Sequence, residues 1–230
     1  MVNDWQRYLA ESISTFSLIF IGAGAVVANT VYKGSLGLIG IAFAHGLVLM
    51  AMIYATAHIS GAHVNPAVTF AMWLTKRIKA VQAILYVVSQ LAGAAIAGLL
   101  LRVIFTKTTN LGATSLASGV SLLNGFIIEA VLTFFLVFTI FGVAVDKRAS
   151  GHHAGLAIGI VLVFDILMGG NMTGAAMNPA RSFGPAIASG FWQNHLVYWI
   201  GPLVGASFAA LLYQGLFLTK LKDKGEKSSK

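Results

Sequence analysis

The sequence contains no cysteine, only 4 prolines in 230 residues, and few charged side chains, which make up 10% of the chain. The absence of cysteine excludes disulfides and thiol chemistry. The shortage of charge excludes an ordinary soluble domain, in which about a quarter of the residues are charged. Hydrophobic residues make up 57% of the chain, and the mean hydropathy is +0.83. This composition is typical of an integral membrane protein.

Six apolar stretches are long enough to cross a bilayer as helices, which takes about 20 residues each. They cover residues ~8–30, ~37–57, ~79–104, ~121–144, ~154–171 and ~195–218. The first stretch lacks a small-residue cleavage site, so we expect a retained helix rather than a removable signal peptide. The sequence therefore predicts an all-α membrane protein in which residues 1–230 form a single transmembrane domain.

The tripeptide Asn-Pro-Ala occurs twice, as Asn65-Pro66-Ala67 and as Asn178-Pro179-Ala180. Asn is a favoured helix N-cap and Pro is favoured at the first helical position, so each copy predicts a helix start. The apolar segment after each copy is only about 10 residues long, half of what a span requires. We expect two re-entrant half-helices whose unpaired N–H groups face a polar, water-filled path, because hydrocarbon cannot satisfy them.

The chain also repeats itself. The stretch from Glu11 to Phe20 matches the stretch from Glu129 to Phe138 at its Glu, Thr, Phe, Leu and Phe positions. Each repeat, over residues ~1–110 and ~118–220, carries three spans and one half-helix, and an odd number of spans inverts the second repeat. Loop B (residues ~58–66) and loop E (residues ~170–179) should then enter from opposite faces and bring Asn65 and Asn178 together near the midplane.

The net charge of +8 is concentrated at one set of helix ends. That set comprises Arg7, Lys76, Arg77, Lys79, Lys147, Arg148 and the lysines of the tail at residues 220–230, against Lys33, Arg102 and Lys107 at the other. By the positive-inside rule both termini are cytoplasmic. A basic tail also suits a nucleic-acid arm, but on a membrane protein it favours contact with membrane lipid, and we expect no nucleic-acid partner.

These motifs resemble those of the aquaporins, the major intrinsic protein family, over essentially the whole chain. The matching residues are His58-Ile-Ser-Gly-Ala-His63-Val-Asn65-Pro-Ala-Val68, Gly174-Ala-Ala-Met-Asn178-Pro-Ala-Arg181-Ser182-Phe-Gly184-Pro185, the paired glutamates and Gly201-Pro202-Leu-Val-Gly205. The resemblance implies a right-handed bundle of six helices and two half-helices, one pore per subunit, and a homotetramer, here expected in the plasma membrane. It implies no catalytic residue, metal or cofactor.

The resemblance also implies a selectivity filter at four positions, His45, Ile166, Ala175 and Arg181. Helix geometry supports a shared level, since His45 and Ile166 both lie nearly 20 Å from the cytoplasmic face at 1.5 Å per residue. This set resembles that of plant vacuolar-membrane aquaporins, the tonoplast intrinsic proteins. Ser182 follows Arg181, where glycerol-conducting relatives carry Asp. We therefore expect a channel for water, with secondary passage of ammonia and hydrogen peroxide; the alternative is an aquaglyceroporin-like facilitator of glycerol and other small neutral solutes.

Conduction should need only hydrogen bonds that replace those a molecule loses on leaving bulk water. The expected acceptors are the backbone carbonyls of Gly61, Ala62, His63, Val64, Gly174, Ala175, Ala176 and Met177. Asn65 and Asn178 should donate to water at the centre, beside an apolar wall that we expect to include Phe20, Ile53, Val68 and Val163. A broken proton wire and the half-helix dipoles should then exclude protons and ions.

Three buried carboxylates remain. Glu11 and Glu129 occupy matching positions of the two repeats, which favours structural acceptors for the loop N–H groups over a proton relay. Asp165 should point about 100° away from Ile166 and face a packed neighbour rather than the pore. A metal-dependent intramembrane enzyme using His45, His58, His63 and Asp165 is disfavoured, since no i, i+4 histidine pair occurs. A closed, junction-forming protein is the other alternative.

Overall fold

A computed structural model describes residues 2–105 and 110–218 of the chain. Six helices in this part of the chain are long and apolar enough to cross a membrane. They are α1 (Asp4–Val31), α2 (Gly37–Ser60), α4 (Ala80–Phe105), α5 (Leu122–Ile140), α6 (Ala154–Thr173) and α8 (Val197–Tyr213). Two π-helical turns, Phe141–Val145 and Gln214–Leu218, extend α5 and α8. The six predicted spans are confirmed, whereas Lys107 and the basic tail at residues 220–230 lie outside the described residues.

Two short helices complete the fold, α3 (Pro66–Leu74) and α7 (Pro179–Ser189). Each begins at the proline of an Asn-Pro-Ala copy, as predicted, because the fixed φ of Pro suits the first helical position. Loop B spans residues 61–65 and loop E residues 174–178, both shorter than expected. The reason is that α2 and α6 continue to Gly61 and Gly174, which end them in the left-handed conformation at φ 93° and 84°.

The helices pack as two equivalent sets of four. In the first set α1 lies against α2 and α4, and in the second α5 lies against α6 and α8. The half-helices are exchanged between the sets, since α3 packs on α8 and α7 packs on α4. Helices α2 and α6 meet at the centre. We call the face that carries Asp4 and Leu218 the inner face, and the face that carries Val31 and Leu122 the outer face.

Glycines allow the closest helix crossings. A Cβ added to Gly159 would lie 2.6 Å from the carbonyl oxygen of Gly46, and one added to Gly46 would lie 2.5 Å from that of Gly159. Added Cβ atoms at Gly93 and Gly205 would likewise strike the backbone carbonyls of α1 and α5. Small residues of this kind let membrane helices approach one another. The close fit of α2 on α6 fixes where the side chains next to these glycines point.

Asp146, just beyond the inner end of α5, forms an ion pair with Arg148 and a hydrogen bond with Tyr213 of α8. The Arg148 guanidinium donates through Nε to Asp146 Oδ1 at 2.9 Å and through Nη2 to Asp146 Oδ2. The Tyr213 hydroxyl donates to Asp146 Oδ2 at 3.1 Å. These bonds stabilise the ionised carboxylate, so they hold the pKa of Asp146 well below its usual range.

Candidate channel and filter

The Glu11 carboxylate organises loop B. Its Oε1 accepts from the Ser60 hydroxyl at 2.7 Å and from the His63 backbone N–H at 2.9 Å. Its Oε2 accepts from the Val64 N–H at 2.7 Å and from Gln90 Nε2 at 2.8 Å. Glu11 itself is fully buried. A buried carboxylate with four donors is a satisfied structural acceptor, which is the role that the sequence favoured over a proton relay.

Glu129 repeats this arrangement around loop E. Its Oε1 accepts from the Thr173 hydroxyl at 2.6 Å and from the Ala176 N–H at 3.0 Å. Its Oε2 accepts from the Met177 N–H at 2.7 Å. Glu129 therefore has three of these donors where Glu11 has four. In the first repeat the extra donor is Gln90, which lies four residues after Tyr86. The corresponding tyrosine of the second repeat is Tyr198, because Tyr86 donates to the Ser60 carbonyl and Tyr198 to the Thr173 carbonyl. The residue four positions after Tyr198 is Pro202, whose side chain carries no donor.

Both loops hold side-chain-bearing residues in the left-handed conformation, which sequence reasoning missed. The φ angles are positive at Ala62, Val64, Ala175 and Met177. A branched residue such as Val, at φ 56°, is a true outlier there. Strain of this kind costs roughly 1–3 kcal/mol per residue and persists only where surrounding contacts enforce it. The glutamate hydrogen bonds to the Val64 and Met177 N–H groups supply that enforcement.

The two loops are joined at the centre by a reciprocal pair of hydrogen bonds. Asn65 Nδ2 donates to the carbonyl oxygen of Met177 at 2.9 Å, and Asn178 Nδ2 donates to that of Val64 at 2.9 Å. Each amide oxygen caps its own half-helix, accepting from the N–H of Ala67 at 2.8 Å and of Ala180 at 3.0 Å. Each Asn thus has a second N–H outside this pair of bonds, since a side-chain amide carries two donors.

Two cavities enter the bundle from opposite faces. The inner cavity, of about 350 Å³, runs from Arg77 and Val145 past both Asn65 and Asn178. The outer cavity, of about 380 Å³, is lined by Asn29, Ile41 and Thr114 among others. His45 and Arg181 are the two residues common to both linings. The cavities therefore converge where the sequence expected the filter.

The four filter residues surround this junction. Ile166 lines the outer cavity and Ala175 the inner one. His45 Nδ1 lies 2.9 Å from the carbonyl oxygen of Ile41. Because a carbonyl oxygen can only accept, Nδ1 carries the N–H, and Nε2 of a neutral ring is then an acceptor. Arg181 Nη1 donates to the carbonyl oxygen of Gly112 at 2.6 Å. His45 Nε2 and Arg181 Nε have no partner among the described residues, so an acceptor and a donor remain unsatisfied at the junction.

Some expected pore residues lie elsewhere. Met177 lines neither cavity, and its carbonyl accepts from Asn65. The carbonyl of Val64 is likewise engaged by Asn178, although Val64 lines the inner cavity. Gly61, Ala62, His63 and Ala176 line the inner cavity, and Gly174 the outer one. Of the expected apolar wall, Ile53 and Val68 line the inner cavity, whereas Phe20 and Val163 do not.

Leucines take the places expected of Phe20 and Val163. Leu18 and Leu162 line the inner cavity, two residues and one residue earlier in the chain than the expected positions. Leu136, the repeat partner of Leu18, lines it as well. A helix turns about 100° per residue, so a shift of one or two positions moves a side chain off the lumen.

The inverted repeat places a second, apolar set at the counterparts of the filter. Ile158 is the counterpart of His45, since each directly precedes a glycine of the α2–α6 crossing. Val68 is the counterpart of Arg181, since each lies three residues after the Asn of its Asn-Pro-Ala copy. Ile53 and Ala62 are the counterparts of Ile166 and Ala175, and all four members of this second set line the inner cavity. Of these two related sets in the described chain, the outer one therefore contains a histidine and an arginine, whereas the inner one is wholly apolar.

Asp165 takes no part in the lining. It is 1% exposed, lies outside both cavity linings, and neither of its oxygens has a partner within the described residues. The same part of the chain contains no group of three His, Asp or Glu side chains arranged to hold a metal ion.

Comparison with known proteins identifies the architecture. A sequence model of the family described as "Major intrinsic protein" matches residues 1–213. The chain belongs to the major intrinsic protein family. Two relatives in this family are "Aquaporin TIP4-4" of Zea mays, 43% identical over 92% of this chain and 86% of its own length, and "Aquaporin TIP1-2" of Musa acuminata, 45% identical over 91% and 86%. "Nodulin-26" of Glycine max is 42% identical over 90% of this chain and 76% of its own length.

A solved structure has the same fold. The structure titled "X-ray structure of the aquaglyceroporin from Plasmodium falciparum" superposes with a TM-score of 0.83, covering 96% of this chain and 99% of that one at 24% identity. Together with the six apolar helices, membership of the family establishes an integral multi-pass membrane protein.

Proposed function

We propose that the protein is a passive water channel, with one pore through each subunit. The observation that carries the proposal is the convergence of an inner and an outer cavity on His45 and Arg181. The TIP-type aquaporins among its relatives support the same function. No covalent step is needed, because the pore only has to replace lost hydrogen bonds.

At the centre, water is oriented by the two asparagines. Asn65 and Asn178 each direct one N–H at the opposite loop, and the second N–H of each donates to the oxygen of a passing water molecule. Leu18, Leu136 and Val68 supply an apolar wall without acceptors. A water that accepts from the asparagines cannot also pass a proton along the file, and the positive ends of α3 and α7 oppose hydronium.

At the filter, solutes are sorted by size and by hydrogen bonding. A water molecule donates to His45 Nε2 while it accepts from the Arg181 guanidinium, whose charge repels cations. Ile166 and Ala175 make the remaining wall apolar, which supports secondary passage of ammonia and hydrogen peroxide. Ser182, the residue after Arg181, is buried and its Oγ lies 3.0 Å from Thr114 Oγ1, so the residue that would be Asp in a glycerol channel is here part of a neutral pair.

A facilitator of glycerol and other small neutral solutes is the alternative. The solved neighbour titled an aquaglyceroporin shares the fold, but at 24% identity it says nothing about the solute of this chain. His45 argues against this alternative, because its ring occupies the junction of the two cavities that glycerol would have to cross.

Reconstituted protein in proteoliposomes distinguishes these functions. Stopped-flow measurements of water, glycerol and ammonia flux on one preparation should give fast osmotic water flow, measurable ammonia entry and slow glycerol uptake. His45→Ala should raise glycerol uptake, whereas His58→Ala, a matched change at an exposed histidine outside both cavity linings, should leave all three fluxes unchanged. Fast glycerol uptake with slow water flow in the unmodified protein would overturn the assignment.

Orientation, membrane and assembly follow from charge and resemblance. The basic residues of the inner face support a cytoplasmic location for that face and for both termini. The TIP-type relatives and the filter resemblance favour a vacuolar membrane over the plasma membrane, which corrects the expectation from the sequence. Membership of the family supports a homotetramer embedded in membrane lipid, which cross-linking in native membranes would test.

A further inference from the structure

A basic pocket opens on the inner face beside the channel mouth. It has a volume of about 760 Å³. Four cationic side chains and one carboxylate line it, from Arg7, Lys76, Arg77, Lys79 and Asp4. Lipid headgroups surround a membrane protein at this level. Basic pockets between helices attract anionic headgroups.

An apolar groove continues from this pocket along α3, between α4 and α8. Its volume is about 410 Å³, and its lining includes Phe70, Ile84, Val88 and Leu203. Trp73 lines both the pocket and the groove. A charged pocket at the interface and an apolar groove reaching into the membrane are thus joined at one exposed tryptophan, which is the kind of residue found at headgroup level.

The cations of the pocket differ in how far they are already engaged. Arg7 pairs with Asp4 at 3.5 Å, and Arg77 lies over the Phe141 ring at 5.2 Å. The side-chain ammonium groups of Lys76 and Lys79 form no ion pair or hydrogen bond with any residue in 2–105 or 110–218, and both residues are exposed. Two ammonium groups beside the groove therefore remain available to an anion.

The backbone at Lys76 strengthens this point. Lys76 has φ 60°, a conformation that favours glycine, and it follows the C-terminal end of α3. The Lys76 N–H donates to the Trp73 carbonyl oxygen at 2.9 Å, which fixes the turn between the groove and the pocket. A lysine at a position suited to glycine costs stability and adds a charge at this turn.

We propose that the pocket and groove together bind one anionic phospholipid of the inner leaflet. The phosphate lies between Lys76 and Lys79, the Trp73 indole N–H donates to the ester region, and one acyl chain fills the groove along α3. Each lysine near an anionic headgroup contributes enough to strengthen binding about fivefold. A zwitterionic lipid of equal chain length gains much less from these charges.

Native mass spectrometry of detergent-purified protein tests the site. The probes are dioleoyl phosphatidylglycerol, dioleoyl phosphatidylcholine with the same chains, and glycerol 3-phosphate, which has the charge without the chains. We expect retained adducts of phosphatidylglycerol, few of phosphatidylcholine and none of glycerol phosphate. Equal retention of the two lipids would overturn the proposal, and so would binding of glycerol phosphate as strong as that of phosphatidylglycerol, which would reveal a simple anion site.

Variants locate the binding. Lys76→Gln combined with Lys79→Gln should weaken phosphatidylglycerol retention more than tenfold, from about fivefold per lysine. Lys33→Gln is the control, since Lys33 is an exposed lysine with φ 52° on the outer face. Ala80→Phe should fill the groove and reduce retention, whereas Ala92→Phe, an exposed alanine of α4 outside the groove, should not.

All four variants leave the channel lining unchanged, so water flux reports whether each has folded. Arg77 is left intact because it also lines the inner cavity. The site would be refuted if the protein carrying both Lys76→Gln and Lys79→Gln conducted water normally and still retained phosphatidylglycerol as strongly as the Lys33→Gln protein.

Discussion

Gly22 lies directly against the imidazole of His45. A Cβ built on Gly22 would come 2.5 Å from His45 Nε2, a distance that real Cβ atoms essentially never show. The ring is held on its other nitrogen by the Ile41 carbonyl, 2.9 Å away. The position of the His45 ring is therefore set from α1 as well as from its own helix, and it depends on a residue that lines neither cavity.

Gly22→Ala should narrow the channel. The added methyl displaces the His45 ring toward the junction of the cavities, so we expect water flux to fall several-fold without the loss of any polar group. Stopped-flow shrinkage of proteoliposomes measures this. Gly24→Ala is the matched control, because its Cβ would meet Leu101 at 3.3 Å, a contact that a flexible side chain relieves. Equal fluxes in the two variants would show that Gly22 does not set the ring position.

Gln90→Leu should lower the free energy of unfolding by destabilising loop B, and its effect on the filter should be smaller. It removes one of the four donors to Glu11 and also the 2.9 Å bond to Thr69. We expect the free energy of unfolding to fall by about 1.5 kcal/mol, the low end for a hydrogen bond to a charged group. The low end applies because Gln90 Oε1 has no partner within the described structure, so its removal breaks no further bond. Denaturant unfolding measures it. Gln82→Leu, which removes a bond to the neutral Tyr86 hydroxyl, should cost less.

Asp146→Asn should lower the unfolding temperature at neutral pH. The folded protein holds the pKa of this carboxyl below its usual value, so its contribution is present above the ordinary pKa of about 3.8 and is lost as pH falls through the lower folded value. The difference between variant and parent should therefore persist at pH 7 and pH 5 and shrink only in strong acid. Thermal unfolding across this range checks it.

A control for the Asp146 experiment is Asp4→Asn. Asp4 and Arg7 form an exposed pair 3.5 Å apart, and exposed pairs contribute little to stability. A change in unfolding temperature as large in Asp4→Asn as in Asp146→Asn would mean that net charge, rather than the Asp146–Arg148 ion pair, governs the effect.

Asp165→Asn should not destabilise the protein. Its carboxyl oxygens are buried and unpartnered within the described residues, and an unpaired buried charge is costly. We expect an equal or higher unfolding temperature and unchanged water flux, since Asp165 lines neither cavity. A marked loss of either property would show that the carboxylate has a partner of its own. Thr133→Val, which removes a hydroxyl bonded to the Glu129 carbonyl at 2.6 Å, is a comparison at another buried polar residue.

The sequence predicted the parts of the fold that depend on composition and on local backbone preferences. The spans follow from apolar length, and the half-helix starts follow from Asn-Pro, because Asn65 and Pro66 specify a cap and a first helical residue by themselves. The matching glutamates of the two repeats also led to the expectation that Glu11 and Glu129 accept from loop N–H groups, and both accept such bonds in the structure.

Details of rotation and conformation were beyond the sequence. Phe20 and Val163 were expected in the wall that Leu18 and Leu162 form, because hydropathy does not distinguish neighbouring apolar faces of a helix that is apolar all round. Val64 and Met177 adopt a left-handed backbone that neither residue prefers; only the tertiary bonds to the glutamates and asparagines impose it. Met177 lies outside both cavity linings and its carbonyl accepts from Asn65, which the sequence does not reveal.

The exchange of hydrogen bonds between Asn65 and loop E, and between Asn178 and loop B, has a consequence for biosynthesis. The ribosome delivers loop B more than a hundred residues before the chain reaches Asn178. Until then the Val64 carbonyl has no asparagine to accept from and Asn65 has no Met177 to bind. The newly made N-terminal half must therefore wait in the membrane with an unfinished centre, and the late arrival of α7 is the event that closes it.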